Sequence, residues 1–118
     1  MTENDVKNQI IEYLQYTGWL ILRVNSGAVV GRENSNRRFM WFVKWFTLGK
    51  KAQTAGCADI LAFKDGMYVA IETKRPGKKS NVTKAQKDFL KAWAEHGGTW
   101  CVAESVEDVV VTVGKVFI

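Results

Sequence analysis

Two apolar segments joined by the dipeptide Asp65-Gly66 constrain the fold of this chain more than any other sequence feature. Residues 58–64 and 67–74 are each rich in aliphatic and aromatic side chains. An Asp-Gly pair between two such runs is a strong signal for a β-hairpin, because the tight turn needs residues that tolerate positive φ. We therefore predict an antiparallel hairpin in which the residue before the turn faces the residue after it.

This register brings three charged residues together at the open end of the hairpin. Asp59 falls opposite Glu72, and Lys74 shares the strand face of Glu72 because side chains alternate between the two faces. The intervening Thr73 is expected to point to the other face. Directly opposed carboxylates repel each other, so a cation should compensate them. The plain structural alternative is that Lys74 alone bridges the pair.

The chemistry of this group favours a divalent metal. Two oxygen ligands with free coordination positions suit Mg²⁺ or Mn²⁺ better than zinc. A neighbouring ammonium can hold a water or help to deprotonate it, and such a set is the minimum needed to hydrolyse a phosphodiester bond. An acid-x-Lys triplet is a weak signal alone. Its weight here comes from its place at the end of an apolar strand, opposite a second acid.

The N-terminal half predicts a helix followed by two strands. A Thr-x-x-Asp capping pattern opens an amphipathic helix at Thr2, which ends at Gly18. Residues 19–24 are predicted to form a buried strand, and residues 27–38 a loop. Residues 39–48 are predicted to form a second strand, although apolar residues on both of its faces leave a helix open.

The C-terminal half adds two helices and a strand. A Thr-x-x-Gln pattern opens a helix at Thr83, and a Gly-Gly pair stops it after residue 96. Residues 99–103 are predicted to form a strand. A Ser-x-x-Asp pattern at Ser105 then caps a short last helix, which is expected to run through about residue 111.

The chain is expected to form one domain, residues 1–118, of the α/β class. A length of 118 residues suits a single hydrophobic core. Apolar residues make up 47% and charged residues 25%, which is an ordinary globular balance and excludes a disordered chain. We expect a core with the element order αβββαβ(α), in which a central mixed sheet is flanked by helices.

Basic residues lie on both sides of the hairpin, and the formal net charge is +5. Such an excess favours polyanionic partners through counterion release, so nucleic acid is the expected partner. The alternative is that lysine-rich loops merely keep a small domain in solution. The residues expected to contact DNA are Arg37, Arg38, Lys50, Lys51, Arg75, Lys78, Lys79 and Lys84.

The cysteine and histidine content argues against a structural zinc site. Cys57, Cys101 and His96 are too few to supply four ligands within one chain. Residues 1–9 are polar and lack the pattern of a signal peptide, and the most apolar later segment is short and interrupted by Lys44. We therefore expect a soluble cytoplasmic protein with reduced thiols and no membrane association.

These motifs resemble those of the PD-(D/E)XK nuclease superfamily, and more closely the small stand-alone VRR-NUC domains of phages and bacteria. The similarity lies in GCAD at residues 56–59, IETK at 71–74, VNSG at 24–27 and the Thr-x-x-Gln pattern at 83–86, and it spans nearly the whole chain. It implies a restriction-endonuclease-like core. One departure is Ala58, where the commonest motif has a proline that shapes the turn but does not bind metal.

The resemblance also implies roles for single residues. Asp59, Glu72 and the backbone carbonyl of Thr73 match the positions that bind the divalent metal, Mg²⁺ or Mn²⁺. Lys74 matches the lysine that supports the attacking nucleophile. These residues are the expected catalytic centre.

Two helical residues match further site positions of the family. Glu3 matches an acid on the first helix that joins the metal site, although an acid in a first helical turn is favoured by the helix dipole in any case. Glu12 is a rival acid on the same helix. Gln86 matches a glutamine counted among the catalytic residues, and its alternative role is to complete the capping box with Thr83.

The function implied is that of a metal-dependent, structure-specific DNA endonuclease, which resolves branched DNA such as Holliday junctions in a bacterial or phage-infected cell. Two alternatives are a nucleic-acid-binding module with an inactive nuclease fold and a sequence-specific restriction-type endonuclease. The resemblance implies a homodimer. Residues 39–48 are the expected interface because aromatic side chains are enriched at interface cores, although Trp41 and Trp45 are more often core residues.

Overall fold

The computed structural model describes residues 1–24, 28–30, 38–40 and 43–116, of which residues 28–30, 38–40, 115 and 116 are described by their backbone alone. The chain folds into an α/β structure in which a four-stranded mixed sheet is flanked by helices. Its elements, in chain order, are α1 (Glu3–Tyr16), β1 (Leu20–Arg23), β2 (Ala28–Val30), β3 (Arg38–Met40), β4 (Ile60–Lys64), β5 (Met67–Thr73), α2 (Lys84–Glu95), β6 (Thr99–Ala103) and α3 (Val106–Val116).

The hairpin of β4 and β5 has the predicted register. Lys64 pairs with Met67 and Ile60 pairs with Ile71. Asp65 and Gly66 both adopt positive φ, at 51° and 78°, which is the conformation that the two-residue turn requires. The hairpin prediction is therefore confirmed.

The larger sheet has the strand order β1-β4-β5-β6. Strand β4 runs antiparallel to both β1 and β5, whereas β6 runs parallel to β5. A parallel neighbour needs a crossover connection, and α2 supplies it between β5 and β6. The last residues of β5 and the first turn of α2 lie at the same end of the sheet, where Gln86 contacts Glu72.

Each face of the sheet has its own hydrophobic core. Helix α1 contributes Val6, Ile10 and Leu14 to one core, and α3 adds Val109 to the same core. Helix α2 covers the other face and contributes Phe89 and Leu90. The α1 positions are four residues apart, and on α2 the partly buried Trp93 follows Phe89 and Leu90 by four and three residues. This spacing is why each helix presents one apolar stripe to the sheet.

Strand β1 occupies the predicted place but is not buried. Leu20 and Leu22 are exposed, while Ile21 packs on the core that α1 forms. The prediction that β1 is buried was wrong because β1 is an edge strand. Helix α2 packs against β5 and β6, which are the strands farthest from β1, and so does not cover it. One face of β1 is therefore left to solvent.

The segment predicted as a loop, residues 27–38, contains strand β2, which pairs antiparallel with β3 in a separate two-stranded sheet. Its β-branched Val29 and Val30 favour an extended backbone, so the loop prediction was wrong there. Of the predicted strand at residues 39–48, the first two residues belong to β3, Trp45 forms an isolated bridge with Gln53, and residues 41–42 lie outside the described part of the chain.

The last helix is longer than predicted, since α3 extends to Val116 and does not end near residue 111. Valine has a weak intrinsic preference for helix. Val109 and Val113 are nevertheless buried one helical turn apart. Tertiary packing of these side chains therefore stabilises the additional turn of helix. Among the described helices none has the length and hydrophobicity needed to cross a bilayer.

Candidate metal centre

Three acidic side chains converge at the end of β5. One carboxylate oxygen each of Glu3, Asp59 and Glu72 lies within 4.8 Å of the other two. Glu72 is near the end of the buried strand β5, and Glu3 is the first residue of α1, whose start is fixed by a capping box between Thr2 and Asp5. The structure therefore brings together the three predicted metal-binding side chains.

Asp59 lies just before β4, outside the paired part of the hairpin, which ends at Ile60 and Ile71. Its Oδ2 accepts hydrogen bonds from the backbone N–H of Thr73 (2.9 Å) and from the hydroxyl of Thr73 (2.7 Å). The sequence did not predict this contact, because its pattern placed Asp59 opposite Glu72 and Thr73 on the other face of the strand. Because Asp59 is not paired with β5, its carboxylate can reach Thr73 next to Glu72.

Glu72 is an acidic residue that the fold makes hard to ionise. Its side chain is 2% exposed. Burial, reinforced by the nearby carboxylates of Asp59 and Glu3, raises the pKa of Glu72 from 4.5 to about 8, with Lys74 acting in the opposite direction. Without a bound cation, this group therefore holds a proton near neutral pH.

Gln86 links the acids to the lysine. Its Nε2 donates to Oε1 of Glu72 (2.8 Å), while its Oε1 accepts from Nζ of Lys74 (3.1 Å). The same Oε1 accepts from the backbone N–H of Thr83 (3.0 Å), and the hydroxyl of Thr83 accepts from the N–H of Gln86. The two roles considered for Gln86 are therefore compatible, because one side chain caps α2 and orients both Glu72 and Lys74.

Lys7 is a residue of this cluster that the sequence analysis missed. Its Nζ lies 3.7 Å from Oδ1 of Asp59, and both side chains are largely buried. Its position one helical turn after Glu3 was the available signal, because residues four apart share a helix face. Glu12, by contrast, is exposed and lies beside Tyr13 and Tyr16, outside the acidic group.

Gly56, the first residue of the GCAD segment, permits a close approach between this segment and α2. It adopts a φ of +86°, and a β-carbon there would lie 2.1 Å from the backbone oxygen of Ala85. No other residue type fits this position without movement of α2. The contact sets the distance between the segment that carries Asp59 and the helix that carries Gln86.

The residues expected to contact DNA are distributed over exposed loops and helix ends. Lys50, Lys51, Arg75 and Lys78 are exposed. Lys79 and Lys84 are also exposed but are each engaged with an acid, Asp108 and Asp88 respectively, at 3.0 Å. Arg37 lies outside the described residues, and Arg38 is described by its backbone alone.

The donor set suits a hard divalent cation. All three convergent groups offer carboxylate oxygen, which is the ligand type of Mg²⁺, Mn²⁺ and Ca²⁺. The raised pKa of Glu72 reflects chiefly its burial and next the nearby carboxylate of Asp59, and a bound cation would favour the ionised form. These observations fit a metal site and do not select between Mg²⁺ and Mn²⁺.

The nearest thiol has no part in this chemistry at neutral pH. Burial, with smaller effects from Glu72 and Asp59, raises the pKa of Cys57 from 9.0 to about 11. A protonated thiol is a poor metal ligand and a poor nucleophile. The convergent groups of the candidate site all offer oxygen atoms.

No protein-family model matches the chain, and no curated protein matches it in sequence.

Proposed function

We propose that this protein is a Mg²⁺- or Mn²⁺-dependent endonuclease that hydrolyses phosphodiester bonds in DNA. The observation that carries the proposal is the convergence of Glu3, Asp59 and Glu72 within 4.8 Å. Lys74 supports it as well, because this lysine is joined to the acidic group through Gln86. The combination resembles the site of VRR-NUC domains, and we assign the fold to the same nuclease superfamily on that resemblance and on the mixed sheet.

The residues divide the work between metal binding and support of the nucleophile. Glu3, Asp59, Glu72 and the carbonyl of Thr73 would hold the cation, which supplies polarisation of the phosphate and a lowered pKa for water. Lys74 would hold the attacking water and favour its deprotonation.

Gln86 keeps Lys74 and Glu72 in fixed relative positions, since it bonds to both of them and to the helix cap. Preorganisation of this kind lowers the cost of assembling the site when substrate arrives.

DNA is the proposed substrate because the chain carries a net charge of +5 and exposed basic residues near the site. Arg75 and Lys78 follow the site lysine directly along the chain. On the resemblance to VRR-NUC domains, we further propose branched DNA such as Holliday junctions as the substrate, a homodimer as the active form, and the cytoplasm of a bacterial or phage-infected cell as the location.

The test compares cleavage of labelled four-way junction, flap and plain duplex DNA with Mg²⁺, with Mn²⁺ and with EDTA. The parent protein should cut the junction in a metal-dependent manner, and Asp59→Asn should abolish cleavage while DNA binding persists. Glu12→Gln is the matched control, because it removes an exposed acid of α1 that lies outside the cluster.

Two results would overturn the proposal. One is a parent protein that binds the DNA but cuts none of the three substrates with either metal, which is the behaviour of an inactive nuclease fold. The other is an Asp59→Asn variant that cuts as fast as the parent. Cleavage of plain duplex at one short sequence would instead favour the restriction-type alternative.

A further inference from the structure

The two carboxylate oxygens of Asp59 have different partners. Oδ2 is engaged by the N–H and hydroxyl of Thr73, at 2.9 and 2.7 Å. Oδ1 faces the ammonium of Lys7 at 3.7 Å, and the two side chains are only 15% and 17% exposed. Oδ1 is therefore the oxygen of Asp59 that would remain for a metal, and a lysine already neutralises it.

The position of Lys7 follows from the helix that carries Glu3. Both residues are on α1, one turn apart, and the buried residues Val6 and Ile10 anchor this helix in the core. A lysine side chain is long and flexible, so its ammonium can leave Asp59 while its backbone stays in place. Helix α1 therefore positions both Glu3 and Lys7 at the acidic cluster.

A cation at this place stabilises the ionised forms of three acids that lie close together. The carboxylates of Glu3, Asp59 and Glu72 lie within 4.8 Å, and Glu72 is almost fully buried. Interactions between charges at such distances are strong where water is partly excluded. The same argument makes the ammonium of Lys7 and a divalent metal competitors for Asp59.

We propose that Lys7 is a resident counter-cation of the acidic cluster, which holds Asp59 in the metal-free protein and sets the metal affinity because an incoming divalent cation must displace it. The inference rests on the proposed function, since it concerns the same metal site. In this proposal Lys7 positions the carboxylate of Asp59. It also limits how tightly the site binds a divalent metal.

The test measures binding of Mg²⁺ and Mn²⁺ by titration calorimetry, without DNA and without turnover. Lys7→Met keeps most of the aliphatic side chain and removes the charge, so it should bind either metal about tenfold more tightly than the parent. Its metal-free form should melt at a lower temperature, because the acids lose their counter-ion. Lys7→Arg should behave as the parent, and Lys91→Met, on the exposed side of α2, should leave metal affinity unchanged.

A second comparison separates competition at Asp59 from a general change in stability. In an Asp59→Asn background, Lys7→Met should change metal affinity much less than it does in the parent, because the contested carboxylate is absent. If Lys7→Met fails to fold, Lys7→Gln takes its place with the same expectations. Metal affinity that is equal to or weaker than the parent's in these Lys7 variants would overturn the inference.

Failure of this inference and failure of the proposed function give different results. A parent protein that shows neither saturable binding of Mg²⁺ or Mn²⁺ nor cleavage refutes the metal centre itself. A parent that binds metal and cuts DNA, with Lys7→Met binding no more tightly, refutes the role of Lys7 alone.

Discussion

At position 72, a buried carboxyl group makes the stability of the fold depend on pH. The pKa of Glu72 is about 8 in the folded protein, against 4.5 for an ordinary glutamate, and burial is the main cause. The folded protein therefore holds this proton more tightly than the unfolded chain does. The penalty is absent below about pH 4.5, grows as the pH rises to about 8, and is constant above that value.

Glu72→Gln should remove this pH dependence from the metal-free protein. Between pH 5 and pH 8, the free energy of unfolding of the parent should fall relative to that of the variant by on the order of a few kcal/mol. Urea unfolding in EDTA at several pH values measures the difference, with Glu12→Gln as the control. Parallel pH profiles for the parent and Glu72→Gln would show that the fold does not perturb this carboxyl group.

The sequence identified most of the cluster because its signals are short and regular. Alternation along β5 correctly placed Glu72 and Lys74 on one face, and the capping pattern at Thr83 pointed to Gln86. The contact between Asp59 and Thr73 was missed, because alternation applies only inside a paired ladder and Asp59 lies outside it. Lys7 was missed because its partner Asp59 lies in a distant segment, and its spacing of one helical turn from Glu3 was the only signal in the sequence.

At the scale of elements, the position of α2 against the hairpin depends on one glycine. Gly56 combines positive φ with a β-carbon position 2.1 Å from the backbone oxygen of Ala85. Backbone atoms at a helix start cannot rotate away as a flexible side chain can. A side chain at this position must therefore separate the GCAD segment from α2.

Gly56→Ala should be far more damaging than the same change at a glycine without close neighbours. Gly49 is the matched control, since it also has positive φ, at 79°, but a β-carbon added there would meet nothing within 4 Å. Gly49→Ala should cost about 1 kcal/mol through backbone conformation alone, and Gly56→Ala should cost several times as much. Thermal or urea unfolding measures both, and equal losses would contradict the packing argument.

The elements that the sequence predicted well are those with local start and stop signals. Helices α1 and α2 begin at capping boxes that the structure contains, and β6 spans the predicted residues. The exposure of β1 and the length of α3 depend on which neighbours cover them. Sequence periodicity does not contain that information, because it describes one segment at a time.

At the scale of the whole molecule, the aromatic residues of segment 43–48 divide between the core and the surface. Trp45 packs edge-on against Phe89 with ring centroids 5.5 Å apart, and its Nε1 donates to the backbone oxygen of Ala55 at 2.9 Å. This tryptophan therefore stabilises the single chain. Phe46 is 68% exposed and Leu48 is fully exposed, so these two side chains are the ones available to a second copy.

The proposed homodimer can now be tested without damage to the core. If residues 39–48 form the interface, Phe46→Glu combined with Leu48→Glu should yield folded monomers that resolve four-way junctions poorly. Paired cuts in a two-fold junction are most simply made by two active sites related by a two-fold axis, and a monomer has only one. Trp45→Glu should unfold the protein instead, since it places a charge against the buried ring of Phe89. Val111→Glu, which alters an exposed residue of α3, is the control for added charge. Analytical ultracentrifugation distinguishes monomers from dimers, and circular dichroism distinguishes folded from unfolded protein. A parent protein that sediments as a monomer at micromolar concentration, yet makes paired cuts, would exclude the dimer.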